Sequence, residues 1–173
     1  MKQHVMELLA RRGVSLESIA ALVYEMQKPY IPELTLEEAL HSVERVIEKR
    51  EAQYALLTGI ALDQMAEEGR LPEALAEAIR TDEPLYGIDE VLALAITNIY
   101  GSVGLTSFGY LDKVKPGIIG QMNHRDQGRV HTFLDDLIAG VAAAAGARLA
   151  HKYSQKGDLG SREKEGMGES AAP

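Results

Sequence analysis

Apolar residues recur at intervals of three and four along most of the chain, which is the spacing of an amphipathic α-helix. A sustained alternation of apolar and polar residues, as a half-buried strand would show, is absent from the sequence. The pattern therefore predicts an all-α protein. Its 173 residues, 46% of them hydrophobic, suffice for one domain with a sizeable core, so we expect a helical bundle whose central apolar helices are surrounded by the others.

Capping residues, glycines and prolines give the expected helix boundaries. Apart from one long segment, helices are predicted, with approximate ends, at residues 3–12, 15–27, 72–80, 89–100 and 132–153. The long segment, residues 35–69, opens with a capping box formed by Thr35 and Glu38. Because it is too long for one ordinary globular helix, we expect a break or bend between Tyr54 and Gly59.

Two predicted helices, residues 89–100 and 132–153, are far more apolar than the others. The first has apolar residues on every side, which predicts full burial. A glycine-rich loop is expected after it, in the sequence GSVGLTSFGY. Residues 154–173 carry glycine, serine and charge with little to bury, so we expect a flexible C-terminal tail after a domain of residues 1–153.

Charge and composition narrow the class of partner. The net charge is −8 and the basic residues are scattered, which argues against a nucleic-acid partner. There is no cysteine, and the N-terminus lacks the apolar core of a secretory signal, so a cytoplasmic protein is expected. The uncharged run from Val91 to Leu111 contains polar residues and three glycines, which favours buried core over a membrane span. We expect at most peripheral contact with the inner face of a membrane, and a homo-oligomer.

The two most apolar helices both carry a pair of acids near their start. Asp89 and Glu90 precede VLALAI, and Asp135 and Asp136 precede LIAGVAAA. If the helices pack together, four carboxylates meet where the dielectric constant is low, and each raises the pKa of the others. Mg²⁺ is the simplest counter-charge, with Mn²⁺ or another divalent ion as alternatives, because these ions prefer hard oxygen ligands.

Asp89, Glu90 and Asp135 also have an ordinary explanation. Acids in the first turn of a helix are favoured by the helix dipole, and Thr132 with Asp135 has the spacing of a capping box. Asp136 does not fit this explanation, because a cap needs only one carboxylate. The occurrence of two such pairs, together with Asp112 in the segment LDKVKP, favours a metal site.

Basic residues near the acids are candidate phosphate contacts. Lys113 and Lys115 are two apart in a segment expected to be irregular, so only one of them is expected to face the site. A lysine beside metal-bound carboxylates is typical of sites that handle phosphate. Arg125 and His131, just before the last helix, are further candidates, and His131 lies four residues before Asp135.

Three segments, YGIDEVLAL, YLDKVKPG and HTFLDDLIAGV, resemble in this order the three C-terminal motifs of the phosphatidylglycerophosphatase A family. Those motifs are an Asp-Glu-Val heading an apolar helix, a Phe-Asp-x-x-Lys-Pro segment, and a Leu-Asp-Asp-Ile-Ile-Ala-Gly segment. The chain is most similar to the family's soluble branch, the low-temperature-requirement C-like proteins, over residues 8–151. The membrane enzymes also carry Gly-Ser-Gly and Pro-Gly-Thr-x-Gly-Ser near the N-terminus, for which this chain offers at best LLTGIALD around Thr58 and Gly59.

The resemblance implies an all-helical fold and Mg²⁺-dependent conversion of phosphatidylglycerophosphate to phosphatidylglycerol. A smaller phosphomonoester is the other expected substrate. The expected catalytic residues are Asp112, Lys115 and Asp136; the expected metal ligands are Asp89, Glu90, Asp135 and Asp136; the expected substrate contacts are Lys115, Lys113, Arg125 and His131. Lys113 stands where the membrane enzymes have an apolar residue, so Lys115 is the preferred phosphate contact. Asp112 is expected either to complete the metal shell or to orient Lys115.

Two other functions are compatible with the sequence. A helical nucleotide pyrophosphohydrolase would need Glu-x-x-Glu ligand pairs on neighbouring helices, and the acids of SVERVIEKRE do not provide that spacing convincingly. A non-catalytic protein that oligomerises or regulates, and keeps the family fold, is favoured by the missing N-terminal motif. Phosphate release from lipid, glycerol phosphate and nucleotide substrates distinguishes all three functions.

Overall fold

The computed structural model describes residues 1–123 and 128–168, and every regular element in this part of the chain is a helix. The predicted all-α class and single helical domain are thereby confirmed. The helices are α1 (Lys2–Arg11), α2 (Leu16–Gln27), α3 (Leu36–Ile47), α4 (Arg50–Glu67), α5 (Glu73–Thr81), α6 (Ile88–Thr97), α7 (Gly101–Val114), α8 (Ile118–Asn123) and α9 (Thr132–Gly168), with a 3₁₀ turn, Asn98–Tyr100, between α6 and α7.

The long helix α9 is the centre of the bundle. It packs against α2, α3, α4, α6, α7 and α8, and residues 132–147 are all buried. The second half of this stretch is mostly alanine and glycine, whose small side chains let neighbouring helices approach closely. The sequence predicted this segment as a central apolar helix of the bundle, and the structure places it at the centre.

The predicted break in residues 35–69 exists, but its predicted position is wrong. The chain leaves helical geometry at Lys49, with φ −70° and ψ 133°, between α3 and α4. The capping box predicted at Thr35 is confirmed. Gly59 lies inside α4, where an added Cβ would stand 2.9 Å from the Cβ of Phe133. This glycine therefore serves close packing of α4 against α9 and not a bend.

Two predictions about the α6–α7 region are wrong. The sequence GSVGLTSFGY, predicted as a loop, forms most of α7. Gly101, with φ +72°, makes the turn that starts this helix, and Gly104 lies against the Thr97 carbonyl oxygen, so these glycines serve a turn and a close contact. α6 is not buried on all sides, because its neighbours cover only one face and leave Ile88 and Val91 51% and 59% exposed.

One stretch of the described chain, Ile88–Val114, is long and apolar enough to cross a membrane by length and composition alone. In the fold it consists of helices of 10 and 14 residues separated by a 3₁₀ turn. Each is shorter than the roughly 20 helical residues that a bilayer requires, so the stretch is not one continuous spanning helix.

The last helix is longer than predicted. It continues to Gly168, past residue 153 where the sequence pattern ends. Residues 169–173 lie outside the described residues, and the flexibility of residues 154–173 stays a prediction.

Candidate active site

Close packing fixes the relative direction of α6 and α9. Gly140 of α9 approaches Ala93 of α6 so closely that an added Cβ would stand 3.0 Å from the Ala93 carbonyl oxygen. One turn earlier on each helix, Asp136 and Asp89 line the same cavity. The two helices therefore run parallel, and the acids that begin them meet at the same end of the bundle.

The cavity at this end has a volume of about 250 Å³ and is strongly acidic. Its charged lining residues are Asp82, Glu83, Asp89, Glu90, Asp112, Asp136 and Lys115. Five of these were predicted from the sequence as site residues, and they come from α6, the end of α7 and α9. Asp82 and Glu83, from the turn before α6, are acids that the sequence reasoning did not place there.

Lys115 lies among the carboxylates. Its Nζ is 2.6 Å from Asp135 Oδ2, 3.4 Å from Asp112 Oδ1 and 3.7 Å from Asp136 Oδ1. Lys115 ends α7 with φ +45°, a left-handed conformation more usual for glycine in this position. A non-glycine residue held in that conformation is typical of functional sites, and here it turns the lysine toward the acids.

The pKa values of this cluster follow from burial and charge. Burial acts to lower the pKa of Lys115, but the charge and hydrogen bond of Asp135, and then the charges of Asp136 and Asp112, raise it above its usual range. Burial raises the pKa of Asp135 to about 6 against the attraction of Lys115. Burial and then the charge of Asp135 raise the pKa of Asp136 to about 9. One ammonium does not neutralise the cluster, so a proton or another cation has to balance the rest.

The carboxylates differ in how far they are already engaged. Asp135 uses both oxygens, since Oδ1 accepts a hydrogen bond from the Asp136 N–H at 3.0 Å and Oδ2 accepts one from Lys115. Asp89 is buried, and burial raises its pKa despite a hydrogen bond from the Glu90 N–H to Oδ1. In the part of the chain that the structure describes, no three acidic or histidine side chains converge as a preformed metal cage.

The start of α9 is held by Asp63 of α4, a residue that sequence reasoning missed. Its two oxygens accept hydrogen bonds from the N–H groups of Phe133 and Leu134, both at 3.1 Å, and the side chain is fully buried. Thr132 does not form the capping box considered from the sequence, because the Asp135 N–H donates to the His131 carbonyl oxygen, while the Thr132 hydroxyl donates to the Ile79 carbonyl oxygen. An acid at an otherwise apolar face of α4 was the only sequence signal for this cap.

A second contact of α4 fixes the chain just before α9. Glu67, one turn after Asp63, accepts a hydrogen bond from the Val130 N–H at 2.7 Å. Arg12 pairs with Glu67 at 2.7 Å and also donates to the Val130 carbonyl oxygen. Both backbone groups of Val130 are therefore bound by side chains, so that α4 and the end of α1 set the position of the acids that follow.

The remaining predicted residues lie at the edge of the site or beyond it. His131 is half-buried, with Nδ1 3.4 Å from an Arg12 nitrogen, and it borders a separate small cavity together with Asp135. Lys113 is exposed on α7 and does not line the acidic cavity of the described residues. Arg125 lies outside the described residues.

The chain is similar to known proteins over most of its length. Residues 5–151 match the sequence model of the family described as Phosphatidylglycerophosphatase A. The uncharacterized protein YpjQ of Bacillus subtilis is 52% identical over 159 residues, which cover 92% of this chain and 88% of that protein. YutG of the same organism, also uncharacterized, is 51% identical over 144 residues, which cover 83% of this chain and 87% of that protein.

Solved structures agree with this relationship. The low temperature requirement C protein from Listeria monocytogenes has a TM-score of 0.86 and 51% identity, covering 88% of this chain and 96% of that one. A protein of unknown function from Bacillus stearothermophilus has a TM-score of 0.85 and 54% identity, covering 88% and 94%. The resemblance inferred from the three motifs is confirmed. The chain belongs to the phosphatidylglycerophosphatase A family.

Proposed function

We propose that the protein is a divalent-metal-dependent phosphomonoester hydrolase, with phosphatidylglycerophosphate as the expected substrate and phosphatidylglycerol as the product. The observation that carries the proposal is one charged lysine set among the acids of α6, α7 and α9 around a single cavity. Family membership supports the phosphatase class. We propose a cytoplasmic setting, in which a lipid headgroup is reached from the inner face of the membrane.

The side chains at the cavity fit Mg²⁺ or Mn²⁺ by their chemistry. Asp89, Glu90 and Asp136 offer hard carboxylate oxygens to one cavity. Mg²⁺ commonly uses one or two protein carboxylates and completes its shell with water and substrate phosphate. The lack of a three-ligand cage among the described residues therefore suits this ion. We assign Asp135, predicted as a ligand, to orienting Lys115, because both of its oxygens are engaged.

A cation held by these acids would supply charge neutralisation and Lewis-acid activation of phosphate and water. The chain's own part is to place a second positive charge beside the phosphate. Lys115 Nζ is held by Asp135 and Asp112, and its third hydrogen is available to a phosphate oxygen. The N-terminal ends of α6 and α9 add the positive ends of two helix dipoles. Water adds to phosphorus, the ester P–O bond breaks, and the alcohol leaves with a proton.

The size of the cavity bears on the substrate. A volume of about 250 Å³ holds a phosphorylated glycerol headgroup, while the acyl chains of a lipid have to remain outside. Specificity for the lipid over free glycerol phosphates therefore has to come from contacts beyond the cavity. The proposed activity predicts turnover of both, with the lipid preferred.

The test is phosphate release by the purified full-length chain. Phosphatidylglycerophosphate in mixed micelles, glycerol phosphates and nucleoside triphosphates are each supplied with Mg²⁺, with Mn²⁺, or with EDTA. Asp136→Asn is compared with Glu77→Gln, which changes an exposed acid on α5. We expect metal-dependent release from the phosphomonoesters that is lost in Asp136→Asn and kept in Glu77→Gln. Hydrolysis of nucleotides alone, or equal turnover by both variants, would contradict the proposal.

A further inference from the structure

The outer surface of α6 and α7 exposes an unusual number of apolar side chains. Of the twelve large hydrophobic residues that are exposed in the described part of the chain, eight lie between residues 85 and 114. They are Leu85, Ile88, Val91, Ile99, Val103, Leu105, Tyr110 and Val114. Single exposed apolar residues are ordinary, but a concentration of them on two adjacent helices marks a contact surface.

On α6 the exposed apolar residues follow helical spacing. Ile88 and Val91 are 51% and 59% exposed, and Ala95 lies four residues further on. Leu85, in the turn before α6, and Ile99, in the 3₁₀ turn after it, are also exposed. The buried residues of α6, such as Ala93 and Ile96, face α9 and do not belong to this row. α6 therefore has two apolar faces, and α9 accounts for only one of them.

Gly109 on α7 gives an independent indication of a contact outside the chain. It is an exposed residue inside a helix, and a Cβ added there would meet nothing within 4 Å. Glycine weakens a helix relative to alanine, and no turn or contact within the described residues requires it here. A glycine on a helix surface allows the backbone of another helix to come close.

The charges favour a second copy of the chain over a membrane surface. From Asp82 to Asp112 the chain carries acids and no lysine or arginine, whereas binding to an anionic bilayer relies on basic residues beside the apolar face. Between Val91 and Leu111 there is no charged residue at all. A chain of net charge −8 meets a second copy of itself with least repulsion through such a stretch.

We propose that α6 and α7 pair with the same helices of a second copy of the chain, forming a two-fold symmetric dimer with Val91, Ala95 and Gly109 in the contact. Residues 85–114 include 16 exposed and 7 half-buried residues, of which Gly87, Glu90 and Asp112 line the acidic cavity, so the remaining 20 set the upper limit of the contact. A stable interface uses about 20–30 residues on each side. The dimer does not depend on the proposed phosphatase activity.

Sedimentation velocity and light scattering on the full-length chain over a range of concentrations test the dimer. We expect twice the chain mass of 18.9 kDa for the wild type. Val91→Glu and Ala95→Glu each place an unpaired charge in the interface and should raise the dimer dissociation constant by more than about tenfold. Both positions are exposed in the single chain, so circular dichroism should remain unchanged. Tyr54→Glu, at an exposed aromatic on α4, is the matched control and should leave the dimer intact.

A monomeric wild type, or a dimer that neither glutamate variant weakens, overturns the proposal. Sedimentation with phosphatidylglycerol vesicles is measured on the same proteins. If a monomeric wild type binds the vesicles and Val91→Glu does not, the surface is a membrane contact and the dimer is wrong.

Discussion

The acidic cavity and the outer surface of α6–α7 depart from the usual distribution of side chains in opposite directions. At the cavity, carboxylates that water would normally solvate are buried next to one another, with Asp135 and Asp136 only 3% and 4% exposed. At the outer surface, apolar side chains that would normally be buried face solvent, as at Val91. The described chain does not compensate either departure fully by itself. The buried carboxylates require additional positive charge, and the exposed apolar side chains are stabilised by an apolar partner.

The two regions share α6, which shows how close they are. Asp89 is buried on the side of α9, and Val91, two residues later, points to the other side and is exposed. The same helix therefore carries a charged group inward and an apolar group outward. Residues that break the usual pattern without local compensation are expected at functional sites, and α6 has one on each face.

The largest expected effect comes from removing the positive charge of Lys115 from the cavity. Lys115→Met takes away the ammonium and leaves Asp112, Asp135 and Asp136 without it. Breaking a buried ion pair in this way should lower the free energy of unfolding at pH 7 by about 3 kcal/mol. Urea denaturation measures it, and added Mg²⁺ should recover part of the loss by replacing the missing charge.

Lys113→Met is the control for this prediction. The residue is two positions away and exposed, so its replacement should change the free energy of unfolding by no more than about 0.5 kcal/mol. Equal effects of the two lysine variants would show that the cavity does not bury its charges as the geometry indicates.

Asp63 tests how α4 holds the acids of α9 in place. Asp63→Ala removes the acceptor of the Phe133 and Leu134 N–H groups and should lower the free energy of unfolding by about 2 kcal/mol. Asp63→Asn keeps one acceptor oxygen and should lose less. The Mg²⁺ concentration for half-maximal activity should rise more in Asp63→Ala than in Asp63→Asn. If stability falls but the metal dependence is unchanged, Asp63 supports only the fold.

The pH dependence of stability isolates the same residue. Burial raises the pKa of Asp63 from 3.8 to about 8, with the N–H groups of Phe133 and Leu134 and the charge of Arg12 opposing it. The folded chain therefore binds this proton more tightly than the unfolded chain. The resulting stability is fully present below pH 3.8 and is lost as the pH rises to about 8.

Urea denaturation in EDTA across this range measures the loss. Asp135 and Asp136 shift in the same direction, so the informative quantity is the difference between the wild type and Asp63→Asn. The decline should be shallower in the variant, which has no proton to lose at this position. Parallel curves would mean that Asp63 is ionised in the folded chain throughout.

The helical class and the three acidic segments were predictable from the sequence because they depend on local pattern and motif order. The juxtaposition of the acids was predictable too, since the two most apolar helices are the ones that pack together. The role of Lys115 as the counter-charge at the cluster was only partly predictable. The sequence identified the lysine, but its left-handed turn and its 2.6 Å contact with Asp135 depend on where α7 ends.

Features set by contacts between distant elements could not be read from the sequence. Asp63 caps α9 across a separation of 70 residues, and its place on an apolar face of α4 marks it as unusual without indicating which helix it caps. The sequence around Gly59 and Gly104 predicts a bend and a loop, but both glycines lie in helices and allow close packing. A glycine permits both uses, and only the neighbouring helix decides between them.

The smallest expected effect concerns the exposed apolar surface of α6. Val91→Ser removes exposed apolar area and leaves no cavity in the single chain, so at high dilution its free energy of unfolding should lie within about 0.5 kcal/mol of the wild-type value. A dimer stabilises the folded state in proportion to the logarithm of protein concentration, and the wild-type Tm should therefore rise with concentration. In Val91→Ser that slope should flatten. Calorimetry at several concentrations measures both quantities on the same samples. A large loss of free energy of unfolding at high dilution would place Val91 in the core of the single chain. If the wild-type Tm does not change with protein concentration, the chain forms no dimer, and the exposed apolar row of α6 has no partner copy to cover it.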